Sequence, residues 1–449
     1  MRQERMTLKI RIFITLIAVL LLAFISDGYF YRNSLSFDEQ RLARIDAHYE
    51  AAINKQLVAG AQAVIQQNGR IIYNKSWGYS NKANLTQISD ETIFHIFSMT
   101  KPVTSVAVMI LFEEGKILLH QPIAKYIPEL ADLRVYDPVN GKGNPPTRNA
   151  SRQPTVRDLL THTAGFTYGL FDQSPVGELY RAAGIGGPTV DLQQFVKRLG
   201  TLPLKFDPGT KWNYSVATDV LGRLVEVASG QKFSTFLQER IFIPLDMVDT
   251  SFYFDLEKTE RQAVLYSREG IPSAFLKDGF LSKSTGPGLE PAHESLILGY
   301  TDKGIFESGG AGLLSTTSDY LQFANMLLND GELNGVRILS PNSIAMMRSD
   351  QVGSTEPLTR LSNIMLNEGI GFGLGFGTIK DQGLSGLALP TGSFFWGGAA
   401  GTIFWIDPRH ELIGLFMTQV VPHRTTLRED LWGLTYQALV DTELGKFAN

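Results

Sequence analysis

The chain has 449 residues, 43% of them hydrophobic and only 19% charged, so it can bury a large core and is not a disordered polymer. A formal net charge of -4, with no basic stripe interleaved with aromatics, excludes an electrostatic surface for nucleic acid and favours small or neutral partners. Cysteine is absent, which removes disulfides, thiolate metal sites and cysteine nucleophiles, and the seven histidines form no HExxH or similar close pair, so no transition-metal site is expected.

The first residues carry Arg2, Arg5, Lys9 and Arg11 against Glu4, then an apolar run from Ile12 to Ile25 and the polar Ser26-Asp27-Gly28. Cations before an apolar core mark residues 1–35 as an export signal or membrane anchor, a buried N-terminal helix being the other reading. The core is short of the roughly 17 to 25 residues a spanning helix needs, although Ile10 and the stretch through Tyr31 extend it. Ser26-Asp27-Gly28 fits an A-x-A-like cleavage site poorly. An uncleaved inner-membrane anchor, with the rest of the chain exported to the periplasmic side, is therefore expected, and it is the one membrane contact the sequence suggests.

The folded part begins between Phe37 and Arg41. Leu42, Ile45, Tyr49 and Ile53 form one apolar stripe of an amphipathic helix, and Asn68-Gly69 between Ala61 to Gln66 and Ile71 to Trp77 signals a hairpin. Val103, Val106, Ala107 and Ile110 then recur at helical spacing, Pro102 is tolerable only in a first turn, and Gly115 supplies a stop. This helix places Ser98 at its N-terminus and Lys101 one turn on, on the same face: a nucleophile with a possible base. The dipole end and the apolar surroundings both disfavour a charged ammonium, pushing Lys101 towards its neutral form. Ser229-Gly230-Gln231-Lys232 repeats the SxxK pattern, but it follows Val220, Leu221, Leu224 and Val227, so Gly230 reads as a C-terminal cap and the serine as structural.

Between Ile117 and about Thr155 the Pro-, Gly- and Asn-rich composition reads as a surface excursion. Thr155 to Gly165 read as a short helix closed by Gly165; His162 could be catalytic but is read as satisfying buried backbone groups of that turn, and His95 is read as structural. Tyr214 falls on a loop before the Val220 helix. Beside Ser98 and Lys101, a phenol of depressed pKa there could shuttle the serine proton. The 308–317 segment reads as structural, leading into a helix from Asp319 to Leu328. Gly371 to Gly377 alternates glycine with bulky residues and reads as one core strand. Phe394 to Ile406 and Leu412 to Gln419 read as two strands joined across Asp407-Pro408, and a helix through Leu427, Leu431, Leu434 and Ala438 closes the chain.

Taken in order, Ser98-Met99-Thr100-Lys101, Leu160-Thr161-His162-Thr163-Ala164-Gly165, Pro208-Gly209-Thr210 with Tyr214-Ser215, and Trp396-Gly397-Gly398 resemble the serine β-lactamase and penicillin-recognising superfamily. Within it they are most similar to the family VIII carboxylesterases, which look like class C β-lactamases. The likeness runs from about Arg41 to the C-terminal helix. It implies an α/β, β-lactamase-like fold: an antiparallel sheet flanked by helices, with a mostly helical lobe inserted. The domain would be residues 36–449, its α/β lobe about 36–120 and 300–449, its helical lobe about 121–299. It also implies that Ser98 is the acylated nucleophile, that Lys101 and Tyr214 share the acid and base work, and that the amides of Ser98 and Ala399 form the oxyanion hole. Trp396, Gly397 and Gly398 would line the substrate, with no metal and no cofactor.

Two departures bear on substrate. Trp396-Gly397-Gly398 replaces the Lys-Thr-Gly of the lactamases and loses a cation, and Tyr214-Ser215-Val216 replaces Tyr-x-Asn and loses an amide. Each lost polar contact typically costs about 1 to 3 kcal/mol, so an uncharged small-molecule ester of short to medium acyl chain is expected rather than a β-lactam. Weak β-lactamase, D-amino peptidase or acyl transferase activity are the alternatives within the fold, and a non-catalytic penicillin-binding-like sensor is the alternative outside enzymology. No GxSxG elbow occurs, which argues against an α/β-hydrolase.

Overall fold

The computed structural model describes residues 37–185, 190–270, 286–292, 306–353, 355–357 and 365–440. The expected N-terminal signal or anchor, residues 1–35, lies outside the described residues. Among those described, no helix is long and apolar enough to cross a membrane.

In chain order the elements that position the site are α1 (Glu39–Asn54), β1 (Gly60–Gln67), β2 (Arg70–Asn81), β3 (Thr86–Gln87), α2 (Thr100–Glu113), α3 (Val156–Leu160), α4 (Ala217–Ser229) and α5 (Thr317–Leu328). They are followed by β4 (Ile370–Phe372), β5 (Gly377–Ile379), β6 (Phe394–Gly397), β7 (Ile403–Asp407), β8 (Leu412–Thr418) and α6 (Leu427–Gln437). The eight strands form one antiparallel sheet in the order β4-β5-β6-β7-β8-β1-β2-β3, so strands from the two ends of the chain meet where β8 pairs with β1. The fold is β-lactamase-like, a large antiparallel sheet with flanking helices.

Strands β1 and β8 are buried along their whole length, which explains why they read as continuous apolar runs rather than as alternating ones. Their side chains still alternate between two cores. Val64, Ile413, Leu415 and Met417 face the core that holds α2 and α5, whereas Ala63, Ile65, Leu412 and Phe416 face α1 and α6. Gly414 completes the second set for a steric reason: a Cβ there would sit 1.9 Å from the buried Trp405 ring on the neighbouring strand.

Local signals hold at several termini. Asn68 and Gly69 both adopt positive φ between β1 and β2, as a two-residue hairpin requires, and Gly115 and Gly230 end α2 and α4 in the left-handed region. Thr155 and Asp158 make the reciprocal capping box of α3. Elsewhere the structure corrects the sequence reading. Helix α3 ends at Leu160, the chain turns away at His162, whose φ is 57°, and Gly165 serves a later turn packed on the Phe206 carbonyl. Between Ile117 and Thr155 the chain is less superficial than its composition suggests, because Ile117, Ile123, Ile127, Leu130, Leu133 and Val135 are all buried. The 371–377 run is not one strand but the tight hairpin β4–β5, turned at Gly375, whose φ is 108° and whose Cα lies against Ser105. The 394–406 run likewise divides into β6 and β7 around Gly398 to Gly401.

Candidate active site

Ser98 lies in a 3-10 turn, Phe97–Met99, that runs straight into α2. Phe97, directly before it, has a φ of 45°, a left-handed conformation that costs a non-glycine residue roughly 1 to 2 kcal/mol and is held here by burial of its ring. Long-range bonds fix the turn from both sides. The Ile96 amide donates to the Leu313 carbonyl, the Leu313 amide donates to Thr100 Oγ1, and the Tyr320 hydroxyl of α5 donates to the Met99 carbonyl.

Helix α2 is buried from Thr100 to Leu111, so Lys101 sits inside the protein, 1% exposed. Its Nζ is 3.2 Å from Ser98 Oγ, donates to the Gly310 carbonyl at 2.7 Å, and lies 3.1 Å from the Tyr168 hydroxyl. Burial pushes the ammonium down to about 7, with the Asp219 carboxylate pulling the other way. Among the described residues no group of acidic and histidine side chains is arranged to hold a metal.

Tyr214 is brought to Ser98 by a clamp between two loops. The Asn213 amide donates to the His162 carbonyl, Asn213 Nδ2 donates to the Phe166 carbonyl, and the Gly209 amide donates to the Thr163 carbonyl. The Tyr214 hydroxyl then donates to Ser98 Oγ at 2.7 Å. The expectation of a depressed phenol pKa is corrected, because burial pushes it up and the bond to Ser98 only partly opposes that. Tyr214 is therefore a protonated donor in this arrangement, and Lys101 is the group able to take a proton. The role read for His162 also changes. Its ring bonds no backbone group of the turn; Nδ1 is 3.2 Å from Ser215 Oγ and the ring stacks obliquely 5.0 Å from Tyr214. Burial, then Lys101, hold it well below the usual imidazole range, so it buttresses the tyrosine as a neutral ring.

Three site residues escaped the sequence reading. Tyr168 follows the Gly165 turn on a loop, with nothing in its spacing to distinguish it from a packing aromatic. Asp219 is buried in the first turn of α4, where its carboxylate accepts from Ser308 Oγ at 2.5 Å and from the Gly310 amide at 3.0 Å. The 308–317 segment, read as structural, thus supplies the Gly310 carbonyl to Lys101. Gly310 is wedged so closely that a Cβ would lie 2.8 Å from both Asp219 and the Tyr168 hydroxyl.

The end of β6 closes the other side. Gly398 approaches the Ile96 carbonyl so closely that a Cβ would be 2.4 Å away, and Thr402 Oγ1 donates to that same carbonyl. This brings half-buried Ala399 into one apolar cluster with Phe97, the residue before Ser98. Trp396 packs 5.6 Å from the Tyr214 ring and 5.2 Å from Phe372. The strand itself carries no cation, yet one reaches it from α6: Arg428 Nη1 lies 3.0 Å from where a Gly397 Cβ would stand. Glu429, 3.5 Å from Arg428 Nη2, offsets that charge.

The Beta-lactamase family model matches residues 45–436. The chain is 34% identical over 374 residues to Protein Rv1367c of Mycobacterium tuberculosis, covering 82% of this chain and 87% of that one. It is 30% identical over 398 residues to Esterase EstB of Burkholderia gladioli, covering 86% and 92%. Among solved structures it is similar to EstCE1, "a hydrolase with promiscuous acyltransferase activity", with a TM-score of 0.71 at 25% identity, covering 88% of this chain and 99% of that one. The protein therefore belongs to the Beta-lactamase family, the serine β-lactamase-like hydrolases, and its relatives include family VIII esterases and acyltransferases.

Proposed function

We propose that the protein cleaves uncharged carboxylic esters through an acyl-enzyme on Ser98. The observation that carries this reading is the convergence of Lys101 Nζ and the Tyr214 hydroxyl on one half-buried serine oxygen. Neutral Lys101 accepts the Ser98 proton as Oγ attacks the ester carbonyl carbon. The carbonyl oxygen takes up negative charge facing the backbone amides of Ser98 and Ala399. As the tetrahedral centre collapses, Tyr214 gives its proton to the departing alcohol oxygen and is reprotonated from Lys101. Water then repeats the sequence on the acyl-enzyme, releasing the acid and restoring Ser98. An alcohol in place of water would give acyl transfer, the second reading, supported by the promiscuous acyltransferase activity of EstCE1.

The paired Arg428 and the absence of a lysine on β6 support an uncharged ester over a β-lactam carboxylate. A panel of p-nitrophenyl esters run beside a chromogenic cephalosporin tests this. Ester turnover at least a hundredfold faster than cephalosporin turnover is expected, and the reverse order would overturn the reading. The basic, then apolar, N-terminal segment supports export with the segment retained as an anchor.

The pH dependence follows from Lys101. Because the base must be neutral, kcat/KM should rise through a midpoint near pH 7 and level above it. Asp219 is the carboxylate that raises Lys101, and Tyr168, Tyr214 and His162 are the other titratable groups facing it. Asp219→Asn keeps the shape but removes the charge, so the midpoint should move to lower pH. A midpoint that stays put or moves up would show that Asp219 does not act on the base.

A further inference from the structure

We propose that the cavity behind Tyr168 is an acyl-chain site that accepts chains of up to about eight carbons, a refinement that rests on the ester-hydrolase reading above. The cavity holds about 310 Å³, which at the ~30 Å³ that a water-sized group occupies takes a chain of about eight carbons with slack to pack. Leu170, Ile185, Phe195, Val216, Phe306 and Ala311 give it apolar walls. The polar groups that touch it are engaged elsewhere. Tyr180 donates to the Pro203 carbonyl, Arg181 donates to the carbonyls of Gly169 and Asp172, Ser308 donates to Asp219, and the Tyr168 hydroxyl faces Lys101. A hydrocarbon fits such walls better than a polar or charged group.

Apolar contacts connect the Ser98 turn to the cavity wall. Phe97, immediately before the nucleophile, shares one apolar cluster with Ala399, Ala311 and Leu170, and the last two line the cavity. That strip starts on the Ala399 side of Ser98, where the carbonyl oxygen is directed. The acyl carbon carries that oxygen, whereas the leaving alcohol must face the Tyr214 proton. The strip therefore leads the acyl chain, not the alcohol, into the cavity.

The test is kcat/KM for p-nitrophenyl esters from acetate to dodecanoate, beside alkyl acetates of growing alcohol length. Values should climb about three- to fourfold per methylene as far as about octanoate and then stop climbing. Ile185→Trp, which fills the cavity, and Leu170→Trp, on the wall shared with the Phe97 cluster, should each lower the octanoate-to-acetate ratio at least tenfold. A flat acyl series, a ratio unmoved in both variants, or a dependence confined to the alcohol series would overturn the assignment. Calorimetric titration of octanamide into Ser98→Ala reads the cavity without turnover. Binding that disappears in the Ser98→Ala, Ile185→Trp double variant supports it even if no ester is cleaved, and absence of binding sinks it.

Discussion

Ser98→Ala is expected to abolish ester turnover, with a fall in kcat of roughly 10⁶-fold, the size seen when the nucleophile of a serine hydrolase is removed. Among the described residues, the hydroxyls bonded to Lys101 or Ser98 are those of Tyr168 and Tyr214, phenols whose pKa burial raises, and neither replaces the nucleophile. The fold should survive. Lys101 keeps its bond to the Gly310 carbonyl and its contact with Tyr168, and the loss falls on the Tyr214 hydroxyl, which gives up its acceptor at a cost of about 1 to 3 kcal/mol. A fluorescent phosphonate should label the wild type stoichiometrically and the variant not at all. Labelling followed by no steady-state hydrolysis would replace the enzyme with an acylated sensor, and an unaltered rate in the variant would end the assignment.

Tyr214→Phe should lower kcat by about 10² to 10⁴-fold on alkyl esters, the usual range for a positioned acid or base, with little change in KM. The hydroxyl lost is the one donating to Ser98 Oγ at 2.7 Å. Since the phenol is protonated at rest, its work is to deliver a proton to the leaving oxygen rather than to remove one from Ser98. In kcat/KM, which reports acylation, the deficit should therefore be at least tenfold smaller on p-nitrophenyl esters, whose phenolate departs without protonation. Equal losses on both classes of ester would instead make Tyr214 a base or a purely structural residue.

These expectations draw on two kinds of information that the chain carries unequally. Ser98 and Lys101 were readable because three residues on a helix is a local relation, and Pro102, Val103 and Gly115 announce the helix that enforces it. The Asn68-Gly69 hairpin, the Gly230 cap that disqualified the second SxxK, and the closing helix were readable for the same reason. The 371–377 and 394–406 runs were not, because a glycine-rich apolar stretch looks alike whether it continues straight or doubles back. The choice was made by contacts such as Gly375 on Ser105 and Gly398 on the Ile96 carbonyl.

By itself the sequence determined the placement of Ser98, its neighbouring amine and the helix that presents both, since each depends on backbone geometry within one turn. Only the tertiary structure decided that Tyr168, Asp219 and the Gly310 carbonyl complete the surroundings of that amine, and that Tyr214 rests as an acid. Residues tens to hundreds of positions apart had to be packed together before their burial and charge could act on one nitrogen. Desolvation, which sets the protonation of both Lys101 and Tyr214, belongs to the assembled core and to no segment of it.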